Sequence, residues 1–411
     1  MLGYALSMKC EVCGREFPLD GYAFRCLECN EPLTVIYDYE SFKNVVDRES
    51  FKSRVFGVWR YRELLPVRGD RIVTLFEGGT PLLRSERISR LFGFRNLFFK
   101  DESRNPTGSF KDRGSTVGVS KALEIGAKAV GCASTGNMAS SLSAYATKAG
   151  LKCFILIPHG TPMEKVLQTL YYDPKVFSLN LPYPELYKLS FEASLNYGLY
   201  LVHSDSPMRV EGQKTVAYEI CEQLGWKAPD IVIVPTSSGG NFSAIWKGFM
   251  EFYELGFIDK LPRMICVQSS GCAPIVEAFK SGGGLKPWGD VKTVAHSISN
   301  PNPSLASGNR VLRILRNFKG IAESVSDDII LNFQKILAIS EGLFVEPASA
   351  ASVAVLRKLM DYGDIDKDET IVCILTGSGM KDLSAVKSYV GFPFKIESRD
   401  EFLEEVKRFL Q

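Results

Sequence analysis

The densest chemistry lies in the run Asn105, Pro106, Thr107, Gly108, Ser109, Phe110, Lys111, Asp112, Arg113 and Gly114. Pro106 and Gly108 set a turn, Ser109 suits a helix cap, and Lys111 falls in the first helical turn. There the positive end of the helix dipole and neighbouring Arg113 disfavour the ammonium form. A neutral amine is what Schiff-base chemistry needs, although the segment alone also suits a solvated surface lysine. Three further loops expose backbone amides through small residues: Ser134, Thr135, Gly136 and Asn137; Ser237, Ser238, Gly239, Gly240 and Asn241; and Thr376, Gly377, Ser378 and Gly379. Each can present donors to a phosphate or carboxylate at a helix start. One such loop reads as an ordinary tight turn; three, each after a strand-like run, imply a ligand with several anionic groups. None is a GxGxxG fingerprint or a Walker loop, which counts against NAD and ATP. Two Cys-x-x-Cys pairs, Cys10 with Cys13 and Cys26 with Cys29, turn four thiolates toward one point, as tetrahedral zinc requires. Disulfides or reduced thiols are the other readings, and a reducing compartment disfavours the former.

The elements that must position these groups follow an α/β rhythm. Short apolar runs at 97–100, 129–132, 153–157, 175–177, 200–202, 231–234, 264–267 and 370–375 alternate with helix-period stretches at 115–124, 139–148, 215–224, 242–255 and 348–360. Strands so uniformly apolar are buried on both faces, so the sheet is mostly parallel and ligands sit at the strands' carboxyl ends. A charged stretch over 39–54 reads as helix. The cysteine-bearing residues 1–37 read as an appended module, too short to hold a core without metal. With 411 residues, 45% apolar and 23% charged, a multi-domain globular protein is expected. A net charge of +2 supplies no basic surface for nucleic acid, and no window is long and apolar enough to span a membrane. An N-terminus without a basic leader is expected of a cytoplasmic protein.

In combination, the run from Asn105 to Gly114, the loop ending at Asn137, Arg209 to Thr215, Glu346 to Ala351, and Thr376 to Asp382 closely resemble threonine synthases, pyridoxal-phosphate lyases of fold type II. The resemblance runs from about Glu77 onward. It implies a tryptophan synthase beta-like fold with two open-sheet α/β domains and, before them, a zinc-ribbon-like extension. The expected division is 1–37 for the extension, 38–113 with 210–411 for the large cofactor-binding domain, and 114–209 for the small one. By this resemblance Lys111 carries the cofactor, Phe110 borders its ring, Asn137 bonds its ring oxygen, and Thr376 faces the pyridine nitrogen. Ser237, Ser238, Gly239, Gly240 and Asn241 cradle its phosphate. Ser134 and Thr135 grip the substrate carboxylate, and Arg209 contacts the substrate's own phosphate. A homodimer and a phosphorylated amino-acid substrate are also implied.

Three departures from the family pattern bear on the substrate. The phosphate loop begins with two serines, Asp205 stands within the stretch before Arg209, and Ser378 replaces a histidine. An Asp205 near a phosphate repels it unless Arg209 or a lysine neutralises the pair. These changes keep open a phosphoserine-using paralogue, such as cysteate synthase or phosphoserine sulfhydrylase. A noncatalytic protein that senses a ligand or uses its zinc knuckle for interaction is a reading of another class. The six remaining cysteines read as small core residues. His159, His203 and His296 are assigned to loops or surface, Lys165, Lys214 and Lys247 to solvated helix faces, and Met163 and Met208 to packing.

Overall fold

The computed structural model describes residues 3–387, 391 and 393–410. Its largest sheet has six strands in the order β12-β11-β10-β13-β5-β4, where β4 is Leu82–Arg84, β5 Asn96–Asp101, β10 Ile231–Pro235, β11 Arg263–Ser269, β12 Ile321–Val325 and β13 Thr370–Leu375. All neighbours are parallel except β4 with β5. Central β10 is buried at every position, as expected for an Ile/Val run covered by helices on both faces. A second, parallel sheet has the order β8-β7-β6-β9, with β6 Ala129–Ala133, β7 Lys152–Pro158, β8 Lys175–Leu179 and β9 Tyr200–Leu201. All eight apolar runs are strands. The sequence reading missed β12, whose Glu323 and Ser324 interrupt the apolar run, and the short antiparallel edge strand β4.

The cysteine-bearing segment forms an antiparallel sheet, β2-β1-β3, from Ala5–Cys10 (β1), Glu16–Pro18 (β2) and Leu33–Tyr37 (β3). It is not an appendage. Ala5, Met8, Phe17, Leu33 and Val35 share one core with Val58, Leu65, Val67, Val117 and Met208 of the body. The charged stretch after it is not one helix but two, Tyr39–Lys43 and Arg48–Lys52. Asp47 caps the second by accepting from the Ser50 amide while its own amide donates to Ser50 Oγ, so the chain restarts there.

Eight helices matter for the site: α1 (Lys111–Glu124), α2 (Asn137–Ala149), α3 (Tyr183–Tyr197), α4 (Pro207–Gln213), α5 (Thr215–Gln223), α6 (Gly240–Glu254), α7 (Gly308–Asn317) and α8 (Pro347–Ala354). Helix α1 contains two glycines, poor helix formers, yet is buried along nearly its whole length. The glycines serve packing. A methyl at Gly114 would lie 3.0 Å from Arg209, and one at Gly212 of α4 would lie 1.9 Å from the Arg113 carbonyl. The two helices therefore touch backbone to backbone, which brings Arg209 under the first turn of α1.

Buried charges tie the body together. Arg113 is fully buried and bonds both carboxylate oxygens of Glu102 (2.6 and 2.7 Å) and of Glu219 in α5 (2.6 and 2.7 Å), while Lys100 of β5 also reaches Glu219 at 2.7 Å. These cations hold the Glu219 carboxyl down at about 2 against the opposing effect of its burial. Lys214 and Lys247 are not on solvated faces. Lys214 is buried and Lys247 half-buried, both paired with Glu211 and Glu251, because β3 of the cysteine module covers them. Met208 is core, as expected, but Met163 is exposed.

Gly212→Ala should lower stability by about 3 kcal/mol, the upper end for forcing an extra methyl into a filled contact. The measurement is the urea midpoint, and a shift worth under about 0.5 kcal/mol would contradict the backbone contact.

Candidate active site

The loops singled out in the sequence follow the carboxyl ends of β6, β10 and β13, and Lys111 opens α1 shortly after β5. The Lys111 turn is zipped to the loop after β13. Ser109 and Gly377 form an isolated antiparallel bridge, the Phe110 amide donates to the Thr376 carbonyl (3.1 Å), and the Ser378 amide donates to the Gly108 carbonyl (2.9 Å). Lys111 Nζ lies 4.5 Å from the centre of the Phe110 ring and 3.5 Å from Ser204 Oγ. Burial lowers its pKa to about 7, the positive charge of Arg209 adds to the shift, and Glu346 opposes it.

Arg209 is fully buried and lies behind the first turn of α1 rather than on the open cleft. Its Nη1 donates to Ser115 Oγ (2.9 Å) and its Nη2 to the Lys111 carbonyl (3.3 Å), both neutral acceptors. Its Nε has no partner among the described residues, and neither do the amide atoms of buried Gln213 one turn on. Burial without a direct ion pair pulls its pKa down to about 10.

The loop after β10 has the shape of an anion cradle. Gly239 adopts φ +88°, and a methyl at Gly240 would lie 2.4 Å from the Ser204 carbonyl, so only glycine brings this backbone so close. Ser238 Oγ accepts from Asn300 Nδ2 (2.8 Å), and the Ser238 carbonyl accepts from the Ser307 amide (2.9 Å). Asn241 is buried at the first turn of α6 with both polar side-chain atoms unpartnered among the described residues, as is the Ser307 hydroxyl. Orphaned donors and open amides at the start of a 15-residue helix suit a phosphate. Together with a half-buried lysine whose pKa is lowered to about 7, this donor set fits pyridoxal phosphate.

On the other side, Asn137 donates to Glu346 (3.0 and 3.3 Å), and Ser297 donates to the same carboxylate at 2.9 Å. Thr376 Oγ1 lies 3.0 Å from Ser349 Oγ on α8. Thus Asn137, Thr376 and Lys111 come into one framework. Ser134 and Thr135 sit half-buried just ahead of α2, with the Ser134 amide donating to the Leu156 carbonyl of β7 (3.1 Å). The sequence reading gave Glu346 no role; its only local signal is its position just before Pro347 at the start of α8. Burial raises its pKa above the ordinary carboxylate value. Asp112, also unassigned, accepts from the Thr107 amide and hydroxyl at 2.7 and 2.6 Å, and burial lifts its pKa to about 6. Lys381 bridges Thr107, Ser140 and Gln168, bracing the Lys111 turn against α2.

Asp205 lines a cavity with Ser204, Ser238, Tyr183, Tyr187 and Asn300. The cation that neutralises it is neither Arg209 nor a lysine. It is Arg25 of the cysteine module, whose Nη1 lies 2.5 Å from Asp205 Oδ2. His203, expected in a loop or at the surface, is in a loop but buried, next to Ser190 (2.7 Å); burial lowers its pKa to about 4. In the cysteine module all four sulfurs lie within 4.8 Å of one another, with Cys10 to Cys29 at 3.3 Å and Cys13 to Cys26 at 3.4 Å. Tetrahedral zinc at about 2.3 Å from each sulfur needs separations of about 3.8 Å. The two turns are alike, since the amides of Gly14 and Asn30, both in the left-handed region, donate to the carbonyls of Cys10 and Cys26 at 3.0 Å. This donor set suits zinc.

Residues 73–377 match the family model described as pyridoxal-phosphate dependent enzyme. A threonine synthase of Methanocaldococcus jannaschii is 45% identical over 405 residues, covering 98% of this chain and 99% of that protein. That of Methanosarcina acetivorans is 44% identical over 400 residues, covering 97% and 98%, and that of Mycobacterium bovis is 42% identical over 325 residues, covering 78% and 87%. Among solved structures, maize serine racemase superposes with a TM-score of 0.64 at 21% identity, covering 80% of this chain and 92% of that one; it has the same fold.

A lysine whose folded pKa is depressed binds fewer protons than its unfolded counterpart between about pH 7 and 10.5, so its penalty on stability is full below pH 7 and fades as pH rises. In cofactor-free protein, Lys111→Met should therefore raise the urea midpoint at pH 7, with the gain shrinking toward pH 10. A gain independent of pH would contradict the lowered proton affinity of Lys111.

Proposed function

Because the chain belongs to the pyridoxal-phosphate dependent enzyme family, and matches threonine synthases over nearly its whole length, we propose that it converts O-phospho-L-homoserine and water to L-threonine and phosphate. The observation that carries this reading is the pairing of a half-buried amine, Lys111, whose pKa is lowered to about 7, with a fully buried guanidinium, Arg209, that has only neutral hydrogen-bond partners among the described residues. Such a cation is costly to bury and is offset when an anion enters.

Pyridoxal phosphate, when bound, supplies an electron sink for negative charge developed on the substrate's carbons. Lys111 would hold it, Asn241 and the backbone of 237–241 would take its phosphate, and Asn137 and Thr376 would set the angle of its ring. The remaining work falls to the chain. With its pKa near 7, Lys111 can accept a proton from the substrate's α carbon and deliver one at a neighbouring carbon without a large mismatch. The loop of Ser134 and Thr135, just ahead of α2, would orient the substrate carboxylate through the Ser134 hydroxyl and the Thr135 amide and hydroxyl, since the Ser134 amide is given to the Leu156 carbonyl. The positive field of Arg209, acting through one helical turn, favours phosphate in the cleft and its departure from the γ carbon. Ser204, 3.5 Å from Lys111 Nζ, is placed to steer that amine's proton. Asn137 is itself oriented by Glu346, so ring orientation passes back to Ser297 and α8.

The protein would act as a cytoplasmic homodimer, and closure of the segment carrying Ser134 to Asn137 toward the 237–241 cradle would exclude water from the cleft. Zinc at Cys10, Cys13, Cys26 and Cys29 would be structural, since all four positions of the tetrahedron are taken by thiolates.

Phosphate release should occur with phosphohomoserine and not with phosphoserine, with or without sulfite or sulfide. Exclusive turnover of phosphoserine would overturn the substrate assignment. Arg209→Met should cut kcat/KM by about 30-fold or more, the scale of a lost buried charge contact; a loss under threefold would remove Arg209 from substrate handling. Metal analysis should find one zinc per chain, lost in Cys13→Ser.

A further inference from the structure

Asp205 poses an electrostatic problem: its carboxylate lines the cavity it shares with Ser204 and Ser238, at the wall of a cleft built for anions. It is buried, yet its neutralising charge comes from 180 residues earlier in the chain. Arg25, itself buried, gives its Nη1 to Asp205 Oδ2 at 2.5 Å and points Nη1 and Nη2 toward the Ala306 carbonyl at 3.4 and 3.5 Å. Its Nε and Nη2 donate to the Asn30 carbonyl at 2.8 and 2.5 Å, which locks the guanidinium to the second cysteine turn. Tyr187 of α3 donates its hydroxyl to both Asp205 oxygens at 2.9 and 3.0 Å. The turn 203–206 is thus held from the cysteine module and from α3 at once. Ser204, inside this turn, touches Lys111 and presses on Gly240 of the cradle, and Ser307, next to Ala306, bonds Ser238.

We propose that Arg25 is a positioning residue of the active site, making the cleft fit for phosphate by neutralising Asp205 and fixing the turn that carries Ser204. The cysteine module is then a working wall of the active site, which supplies the charge that lets this chain keep an aspartate where a phosphate must approach. Without Arg25 the carboxylate stands unpaired in a low-dielectric wall and repels any dianion entering the cleft. The inference rests on the phosphorylated-substrate reading given above.

The test uses the cofactor-loaded enzyme and two readouts, calorimetric affinity for inorganic phosphate and the KM for phosphohomoserine. Arg25→Met should weaken both tenfold or more, with a smaller change in kcat, while zinc content stays at the parent level. Arg25→Met combined with Asp205→Asn should return both to within threefold of Asp205→Asn alone, because no unpaired carboxylate remains. Arg25→Lys, which keeps the charge, should fall between. Unchanged phosphate affinity in Arg25→Met, or a double variant no better than the single one, would overturn the proposal. Should Arg25→Met fail to accumulate, the double variant against Asp205→Asn still decides it, a tenfold gap in phosphate affinity counting against the idea. A parent that ignores phosphohomoserine sinks the substrate reading alone and leaves the comparison with inorganic phosphate to judge Arg25.

Discussion

A half-buried amine beside a fully buried guanidinium, with no carboxylate bonded to either among the described residues, is the constraint on which the molecule turns. Water would screen the guanidinium, so its burial without an acid exists only where helices α1 and α4 meet closely enough to exclude it. Gly114 and Gly212 permit that approach. Arg209 lowers the proton affinity of Lys111 from one helical turn away, and Lys111 returns the favour by lending Arg209 its backbone carbonyl. Burying such a pair is destabilising by itself and must be offset by the surrounding core and, in the working protein, by the anions the cleft receives.

Elsewhere the chain treats buried charge in the opposite way. Arg113 and Lys100 face Glu102 and Glu219 with short bonds, and Lys214 and Lys247 face Glu211 and Glu251. These balanced clusters fasten α1, α4, α5 and α6 to the strands beneath them and to the cysteine module. The contrast is informative: cations paired with acids hold structure, whereas those with neutral partners mark the cleft. Asp205 with Arg25 belongs to the first kind by geometry but sits on the wall of the second.

Much of the architecture could be read directly because its local signals were strong. Ile231–Pro235 is all apolar and buried on both faces, and it lies at the sheet's centre. The small-residue loops end strands as expected, since an amide-exposing turn needs no side chain to be recognised. Strand β12 escaped because Glu323 is polar in sequence; it is buried only because Lys280 and Lys358 bring opposite charge to it. Lys214 looked like a solvated helix residue for the same reason. Nothing local announces that β3 will cover it and that Glu251, on another helix, will answer it.

The sequence by itself determined which residues have the means for the chemistry: a lysine at a helix start, small-residue loops that can grip anions, and four thiols that can meet at one metal. Those are properties of residue type and of spacing over a few positions, where the backbone has little freedom to rearrange them. Only the tertiary structure decided which charges are compensated, because the partners lie far apart in the chain: Asn137 with Glu346, Arg113 with Glu219, Arg25 with Asp205. An ion pair depends on distance and local dielectric, and both are set by the fold as a whole.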